Sequence, residues 1–273
     1  MKKFLSKAYV AFIFLFLYAP IVVLMVFSFN NSKSRAVWHG FTMKWYIELF
    51  KDSAIMNALF TTLLVASLAA IISTIIGTIA AIGFKNMHKA PRKFLMQVNN
   101  IPMLNPEIVT GVSLMLLFVY VGRVLGGMEL NFATLLLAHI TFNVPYVILN
   151  VMPKLKQMDN HLYEAALDLG CKPTQAFFKV VIHEIMPGIV SGLIMAFTLS
   201  FDDFVISYFT SGSKSQTLSI IIYSMTRKRI SPKINALSTI MFITVFALLL
   251  IVNLRQNNDS VHVKKSKKKG AKA

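Results

Sequence analysis

The sequence predicts an all-α, polytopic membrane protein with six transmembrane helices. Of its 273 residues, 56% are hydrophobic and only 14% are charged, whereas a soluble domain carries about 25% charged residues. The hydrophobic residues are gathered in six runs, and roughly 20 consecutive apolar residues are enough to cross a bilayer. The runs cover residues 8–29, 58–84, 101–122, 131–152, 187–211 and 235–254.

The first run follows the basic stretch "MKKFLSK" and resembles the start of a signal peptide. Its apolar core is too long for one, and it ends in "FSFNNSK" without an A-x-A cleavage signal. Residues 1–30 are therefore predicted to form a retained N-terminal transmembrane helix. In the second run, Ser73, Gly77 and Ala81 recur every four residues, a pattern that lets membrane helices pack closely.

The basic residues indicate the orientation of the chain. With a cytoplasmic N-terminus, the segments on the inside hold 18 of the 28 Lys and Arg residues, as the positive-inside rule requires. The formal charge of +17 thus reflects membrane topology, and no nucleic-acid partner is expected. Both termini are predicted to be cytoplasmic in a multi-pass protein of the cell membrane. Residues 55–254 are predicted to form one transmembrane domain, and 255–273 a disordered basic tail near anionic lipid.

The polar segment between the fourth and fifth runs is too long for a tight connection. Asp159 or Asn160 can cap a helix that starts near His161, and Gly170 is a natural C-terminal stop. Another short helix is predicted to begin with Pro173 in its first turn. Such a helix pair either lies on lipid or docks into a partner protein.

Three acidic residues lie within the apolar runs: Glu107, Asp202 and Asp203. Each carboxylate near the middle of a membrane helix costs about 2.5–3.5 kcal/mol, so an intramembrane acid indicates a functional site. On a continuous helix, Ser200, Asp203 and Ser207 fall within a narrow arc, and Asp202 points about 100° away. Asp203, with Ser200, is therefore predicted to face a central cavity and to attract a cation.

A structural alternative exists for each acid. The runs offer few basic partners, and His139 is the main candidate for a buried pair with Asp202 or Asp203. Glu107 follows Pro106 and can instead satisfy the backbone of a broken helix.

An enzyme is not indicated. No nucleophile–base pair or metal-ligand cluster is evident, so no catalytic or metal site is predicted. The phosphate-binding pattern G-x-x-x-x-G-K-[ST] is absent, and the chain has no ATPase site of its own. The acids alone would also suit a cation channel or carrier that works without an ATPase.

The stretch "EAALDLG", followed by a basic-apolar segment and "MPG", resembles the EAA loop of ABC-importer permeases. Glu164, Ala165, Ala166 and Gly170 match the family pattern, while His183 stands where the family most often has proline. This resemblance implies the type-1 importer permease fold, with a coupling loop at about 153–186 that fits a groove in an ATPase. It also implies that Glu164 is the anchoring charge.

Further stretches resemble the spermidine/putrescine permeases of the PotC type, over about residues 9–254. They are "FNNSKSRAVWHGFTMKWYIELF", "NPEIVTGVSLMLLF", "LLLAHITFNVPYVILNV", "SFDDFVISYFTSG" and "IYSMTRKRISPKINALSTI". The resemblance implies a homologous second permease, two copies of a cytoplasmic ATPase that bind ATP and Mg, and an extracytoplasmic polyamine-binding protein. No cofactor is expected in this chain. Trp45 becomes a candidate substrate contact near the entrance, although an interfacial aromatic anchor is the simpler interpretation.

Within the same family, the cargo can differ. Anions fit badly with Asp202 and Asp203 in the path, because like charges repel. Ferric iron, or another small solute, is the alternative to a polyamine, since carboxylates also suit a hard cation.

Overall fold

The computed structural model of the chain describes residues 2–32, 37–124, 126, 129–159, 161–213, 215–228, 232–247 and 250. Apart from one antiparallel bridge between Asn30 and Phe41, these residues are helical or irregular. A five-residue π-helical segment, Phe177–Val181, separates α8 from α9. The helices are α1 (Lys2–Phe27), α2 (Lys44–Lys51), α3 (Ser53–Asn86), α4 (Lys89–Leu104), α5 (Glu107–Val124), α6 (Phe132–Gln157), α7 (His161–Asp168), α8 (Pro173–Ala176), α9 (Ile182–Asp202), α10 (Val205–Thr210), α11 (Leu218–Lys228) and α12 (Pro232–Ala247).

Five helical segments are long and apolar enough to cross a membrane, and α12 is a shorter apolar helix. The predicted all-helical, polytopic architecture is therefore confirmed. The last residues of the sixth predicted run, and the whole tail 255–273, lie outside the described residues. The five segments are Ser6–Phe27, Ser53–Asn86, Glu107–Val124, Phe132–Gln157 and Pro173–Asp202.

The third predicted run, 101–122, is not one helix. α4 ends at Leu104, and Asn105 adopts an extended conformation with φ −76° and ψ 142° before α5 begins at Glu107. Pro106 explains the break, because the ring of a proline disfavours helical geometry in the residue before it. Glu107 is thereby placed in the first turn of a new helix.

The described residues pack in two compact units, one formed by residues up to 57 together with those from 221 onward, and one formed by residues 58–220. In the first unit, the buried Asn30 organises the segment after α1. Its amide donates to the carbonyl of Val37 at 2.8 Å and accepts from the backbone of His39 at 2.9 Å. Its own carbonyl accepts from the Trp45 ring at 2.7 Å, so α2 is tied to the end of α1.

In the second unit, α6 is the central element. It begins with a capping box, in which the Asn131 side chain accepts from Ala133 and Thr134, and the Thr134 hydroxyl accepts from the Asn131 backbone. One face of α6 packs along α9, and an apolar cluster forms there together with residues of α3. Its buried members are Ala70, Ala81, Val147, Ile148, Val151, Met152, Leu155, Ile185 and Ala196.

The small residues of α3 allow a close helix crossing, as their spacing predicts. Ser73 and Ala81 are fully buried. A Cβ added at Gly77 would lie 2.7 Å from both Cβ and Cγ1 of Val147 on α6. Real Cβ atoms do not approach so closely, so only glycine fits at this crossing.

We expect Gly77→Ala to destabilise the folded protein by about 1–3 kcal/mol, because overpacking a tight helix contact forces the backbones apart. Gly83→Ala on the same helix is the matched control, since a Cβ there has no neighbour within 4 Å. Thermal unfolding of the two purified variants in detergent measures the difference. Equal melting temperatures for both variants would contradict the close crossing.

Candidate functional site

The paired aspartates lie at a break between two helices. α9 ends at Asp202, and Asp203 leaves helical geometry with φ −59° and ψ 131° before α10 starts at Val205. The Asp203 carboxylate accepts hydrogen bonds from the backbone N–H groups of Ile206, at 3.3 Å, and Ser207, at 2.7 Å. Asp203 therefore caps the N-terminus of α10 and satisfies two amides that have no partner within the helix.

The prediction of one continuous helix through Ser200, Asp203 and Ser207 is thus wrong. Aspartate favours such a break because its short side chain competes with the helical backbone for nearby N–H groups. In a membrane the break needs an internal acceptor for those N–H groups, which this carboxylate supplies.

Ser200, Asp203 and Ser207 nevertheless share one neighbour, the buried face of α6. The His139 Nε2 lies 3.1 Å from the Ser207 Oγ and 3.7 Å from the Asp203 Oδ2. One turn further along α6, the Asn143 amide donates to the Ser200 Oγ at 2.7 Å. These five side chains form a polar seam between α6 and the α9–α10 break. The Asp203 side chain is only 5% exposed, so it faces this seam and not an open cavity.

His139 was the expected partner for a buried acid, and the structure pairs it with Asp203. Asn143 was not predicted, although its i, i+4 spacing from His139 places both on one face of α6. Two atoms of the seam, His139 Nδ1 and Asn143 Oδ1, are buried without a hydrogen-bond partner among the described residues. An unsatisfied buried polar atom costs about 1–3 kcal/mol, and both atoms lie on the α6 side of the seam.

Asp202, in contrast, is exposed at the end of α9. Its backbone carbonyl accepts from the Ser219 hydroxyl at 3.4 Å. Glu107 is also exposed, and its charge contributes to the electrostatic environment of both Asp202 and Tyr146. We refer to Glu107, Asp202 and Tyr146 as the acidic site. It combines two carboxylates with a half-buried aromatic ring, which suits an organic cation.

Among the residues that the structure describes, no three His, Cys, Asp or Glu side chains are grouped to hold a metal ion.

Trp45 lies in the first unit, on α2. The residue is 5% exposed, and its ring nitrogen already donates to the carbonyl of Asn30 at 2.7 Å. The Lys44 ammonium group lies 5.7 Å from the centre of the Trp45 ring. In this conformation the ring therefore offers little surface to a substrate, and its role as a substrate contact stays a prediction.

The EAA segment begins as predicted. The backbone N–H of His161 donates to the Asp159 carboxylate at 3.0 Å, so Asp159 caps α7; Asn160 lies outside the described residues. Glu164 is exposed and lies 3.3 Å from the His161 ring. Ala166 is buried while Ala165 is exposed, so the two alanines lie on different faces of α7.

Gly170 ends α7 in a left-handed turn with φ +84°. Its N–H donates to the carbonyl of Leu167 at 2.9 Å, and the N–H of Cys171 donates to that of Ala166 at 3.1 Å. This pair of bonds is the Schellman motif, in which glycine avoids the steric cost of positive φ. The predicted glycine stop is therefore confirmed.

The helix predicted after the glycine turn is not a separate short one. It starts with Pro173 in its first turn and continues through the π segment into α9, so that 173–202 is one 30-residue helical stretch. His183 lies in the first turn of α9, where the usual proline would lack an N–H. α6 likewise runs to Gln157, five residues beyond the end of the fourth predicted run at 152.

Comparisons with known proteins agree with this architecture. Residues 73–258 match the family of binding-protein-dependent transport system inner membrane components. The putrescine transport system permease protein PotI of Escherichia coli is 40% identical over 230 residues, which cover 83% of this chain and 82% of PotI. The spermidine/putrescine transport system permease protein PotC of Haemophilus influenzae is 35% identical over 257 residues, covering 93% and 98%.

Solved structures with a similar fold include a bacterial ABC transporter involved in the import of alginate. The matched chain gives a TM-score of 0.71 at 14% identity and covers 94% of this chain and 96% of its own length. A second alginate transporter structure, in complex with a periplasmic protein bound to an alginate pentasaccharide, gives 0.69 at 14% identity, covering 92% and 90%. The chain therefore belongs to the binding-protein-dependent transport system inner membrane components and is homologous to the PotC and PotI permeases.

Proposed function

We propose that this chain forms, with a second homologous permease, the translocation path of an ATP-driven importer for polyamines such as spermidine and putrescine. The observation that carries the proposal is the exposed acidic site at the end of α9. The names of the relatives support the same cargo, since PotI is a putrescine permease and PotC a spermidine/putrescine permease.

The chemistry of the acidic site suits a polyamine. Polyamines are flexible cations whose amines are separated by a few methylene groups. They therefore need carboxylates that are near each other but not grouped as tightly as the ligands of a metal ion. Asp202 and Glu107 lie on different helices and act on each other electrostatically, while the Tyr146 ring offers an aromatic face to a cation. Asp203 and Ser200, predicted as further path residues, face α6 in this conformation.

The EAA segment is the proposed contact with the ATPase. Leu169 is 86% exposed and Phe178 is 68% exposed, which leaves apolar surface next to the exposed Glu164 carboxylate for a groove in that partner. The helical stretch 173–202 connects this surface with Asp202, so a displacement of the segment is transmitted along one rigid element. ATP and Mg would bind to two copies of the ATPase, and the assembled complex would be a polyamine-transporting ATPase.

The proposal includes an orientation in the membrane. The excess of basic residues at the start of α1, at 85–93, at 153–186 and after α12 supports a cytoplasmic location of both termini and of the ATPase. The polyamine-binding protein then delivers its cargo from the opposite side of the cell membrane.

Uptake of radiolabelled spermidine or putrescine by the reconstituted complex tests the cargo. We expect uptake that requires ATP and that an excess of either unlabelled polyamine suppresses. Suppression by ferric iron alone would instead favour the iron-carrying alternative. Uptake that persists without the ATPase would favour a channel or carrier.

We expect Asp202→Asn to lower polyamine uptake by about tenfold, corresponding to roughly 1.4 kcal/mol, because it removes one of the two exposed charges that attract the cation. The isosteric amide leaves the helix end in place. Glu129→Gln, which neutralises an exposed acid elsewhere in the chain, is the matched control. Equal uptake by the two variants, at equal levels in the membrane, would remove Asp202 from the path.

We expect Gly170→Ala to weaken transport-coupled ATP hydrolysis, since a side chain at φ +84° strains the turn by about 1 kcal/mol. Glu164→Lys, which reverses the proposed anchoring charge, should reduce co-purification of the ATPase. Gly126→Ala is the control, because Gly126 also has positive φ, +92°, but lies outside the EAA segment. If Gly126→Ala impairs transport-coupled ATP hydrolysis as strongly as Gly170→Ala does, the turn at Gly170 has no specific role in coupling.

A further inference from the structure

The end of α3 and the start of α4 carry a concentration of positive charge. Residues 85–104 contain no acid and four Lys and Arg residues, namely Lys85, Lys89, Arg92 and Lys93. Lys89 and Lys93 are both exposed. Residues four apart are neighbours on a helix surface, so these two lysines present their charges side by side. We refer to Lys89 and Lys93 as the basic pair.

One face of α4 packs on the protein, although no residue of the helix is fully buried. Met96 on this face packs against the apolar cluster between α6 and α9. The contact fixes the rotation of α4 about its own axis. The half-buried positions recur with helical spacing and are Arg92, Leu95, Met96, Asn99, Asn100, Pro102 and Met103.

Another face of α4 is apolar and exposed. Phe94 is 64% exposed, Val98 43% and Ile101 52%, and their spacing of four and three residues aligns them along one side of the helix. We call these three side chains the apolar stripe. It starts directly after Lys93 and extends for about 10 Å along the axis, which is within the depth of one leaflet of a hydrocarbon core about 30 Å thick.

The charge beside the stripe indicates what covers it. Among the residues that the structure describes, neither Lys89 nor Lys93 forms an ion pair with an acidic side chain. Basic residues at the end of a membrane helix attract anionic lipid. An anionic phospholipid joins a negative phosphate to acyl chains, in the same order in which α4 presents the basic pair and then the apolar stripe.

We propose that α4 binds an anionic phospholipid, with the phosphate at Lys89 and Lys93 and an acyl chain along the apolar stripe. The site requires only that α4 begins at a membrane surface. In the proposed orientation residues 85–93 are cytoplasmic, so the lipid belongs to the inner leaflet. The choice of leaflet is the only part that rests on the proposed function.

Quenching of a Phe94→Trp reporter by brominated lipid tests the site in the assembled importer. The complex is placed in phosphatidylcholine vesicles that contain increasing fractions of brominated phosphatidylglycerol or of brominated phosphatidylcholine. The same complex without the reporter corrects for the native tryptophans. We expect half of the quenching at a fraction of phosphatidylglycerol about tenfold lower than that of phosphatidylcholine, because two lysines attract the anionic headgroup.

Variants of the basic pair identify the source of this preference. Lys89→Gln with Lys93→Gln should abolish it, whereas Lys89→Arg with Lys93→Arg should retain it. Lys154→Gln with Lys156→Gln is the matched control, since it removes two exposed lysines from the last turn of α6. A preference for phosphatidylglycerol that survives the loss of the basic pair would overturn the proposal.

Variants of the apolar stripe separate a bound lipid from a bound phosphate. Val98→Ala with Ile101→Ala should weaken the preference, whereas Leu116→Ala with Leu117→Ala, at similarly exposed positions on α5, should not. Glycerol phosphate, which has the charge but no acyl chains, should leave the quenching unchanged. Reversal by glycerol phosphate would overturn the proposal.

Quenching that is equal for the two lipids, or absent with both, would also overturn the proposal. Absence with both lipids is the result expected if the second permease covers the apolar stripe. Because the measurement needs no transport, a failure of polyamine uptake would count against the proposed function alone.

Discussion

A helix that is interrupted inside a membrane leaves backbone N–H groups that water cannot reach, and they must find acceptors within the protein. Here the Asp203 carboxylate supplies that acceptor for α10. The end of α9 and the placement of Ser207 beside His139 both involve this single cap. The neighbouring aspartates therefore have different tasks despite their identical chemistry. The Asp203 carboxylate accepts backbone N–H groups, whereas Asp202 is exposed.

This division also explains which features a sequence can predict. Apolar runs of membrane length, a small-residue stripe on α3 and a glycine at the end of α7 each follow from a local rule, and the structure has all three. The Asp159 cap and Pro173 in the first turn of α8 are local in the same sense. His139 could be anticipated because few other basic groups lie in the apolar runs.

The features that were missed depend on competition between local and tertiary preferences. A prediction from helical periodicity assumes an unbroken helix. It cannot reveal that Asp203 caps the N-terminus of α10 and does not extend α9 by a further turn. Asn105 and Pro106 interrupt a run that remains apolar enough to be read as one span. α9 packs along α6, a tertiary contact that has no signature within the segment 173–202 itself.

The π segment at Phe177–Val181 has a consequence for comparing this chain with its relatives. Its closing bond runs from the N–H of Ile182 to the carbonyl of Phe177, so one turn holds an additional residue. With 3.6 residues in an ordinary turn, one additional residue offsets the helical phase by about 100°. The Pro173 end and the Asp202 end of this stretch are thus rotated relative to each other by about this angle, compared with a purely α-helical stretch of equal sequence. An alignment with a helix that lacks such a segment would pair equivalent positions but not equivalent faces across this point.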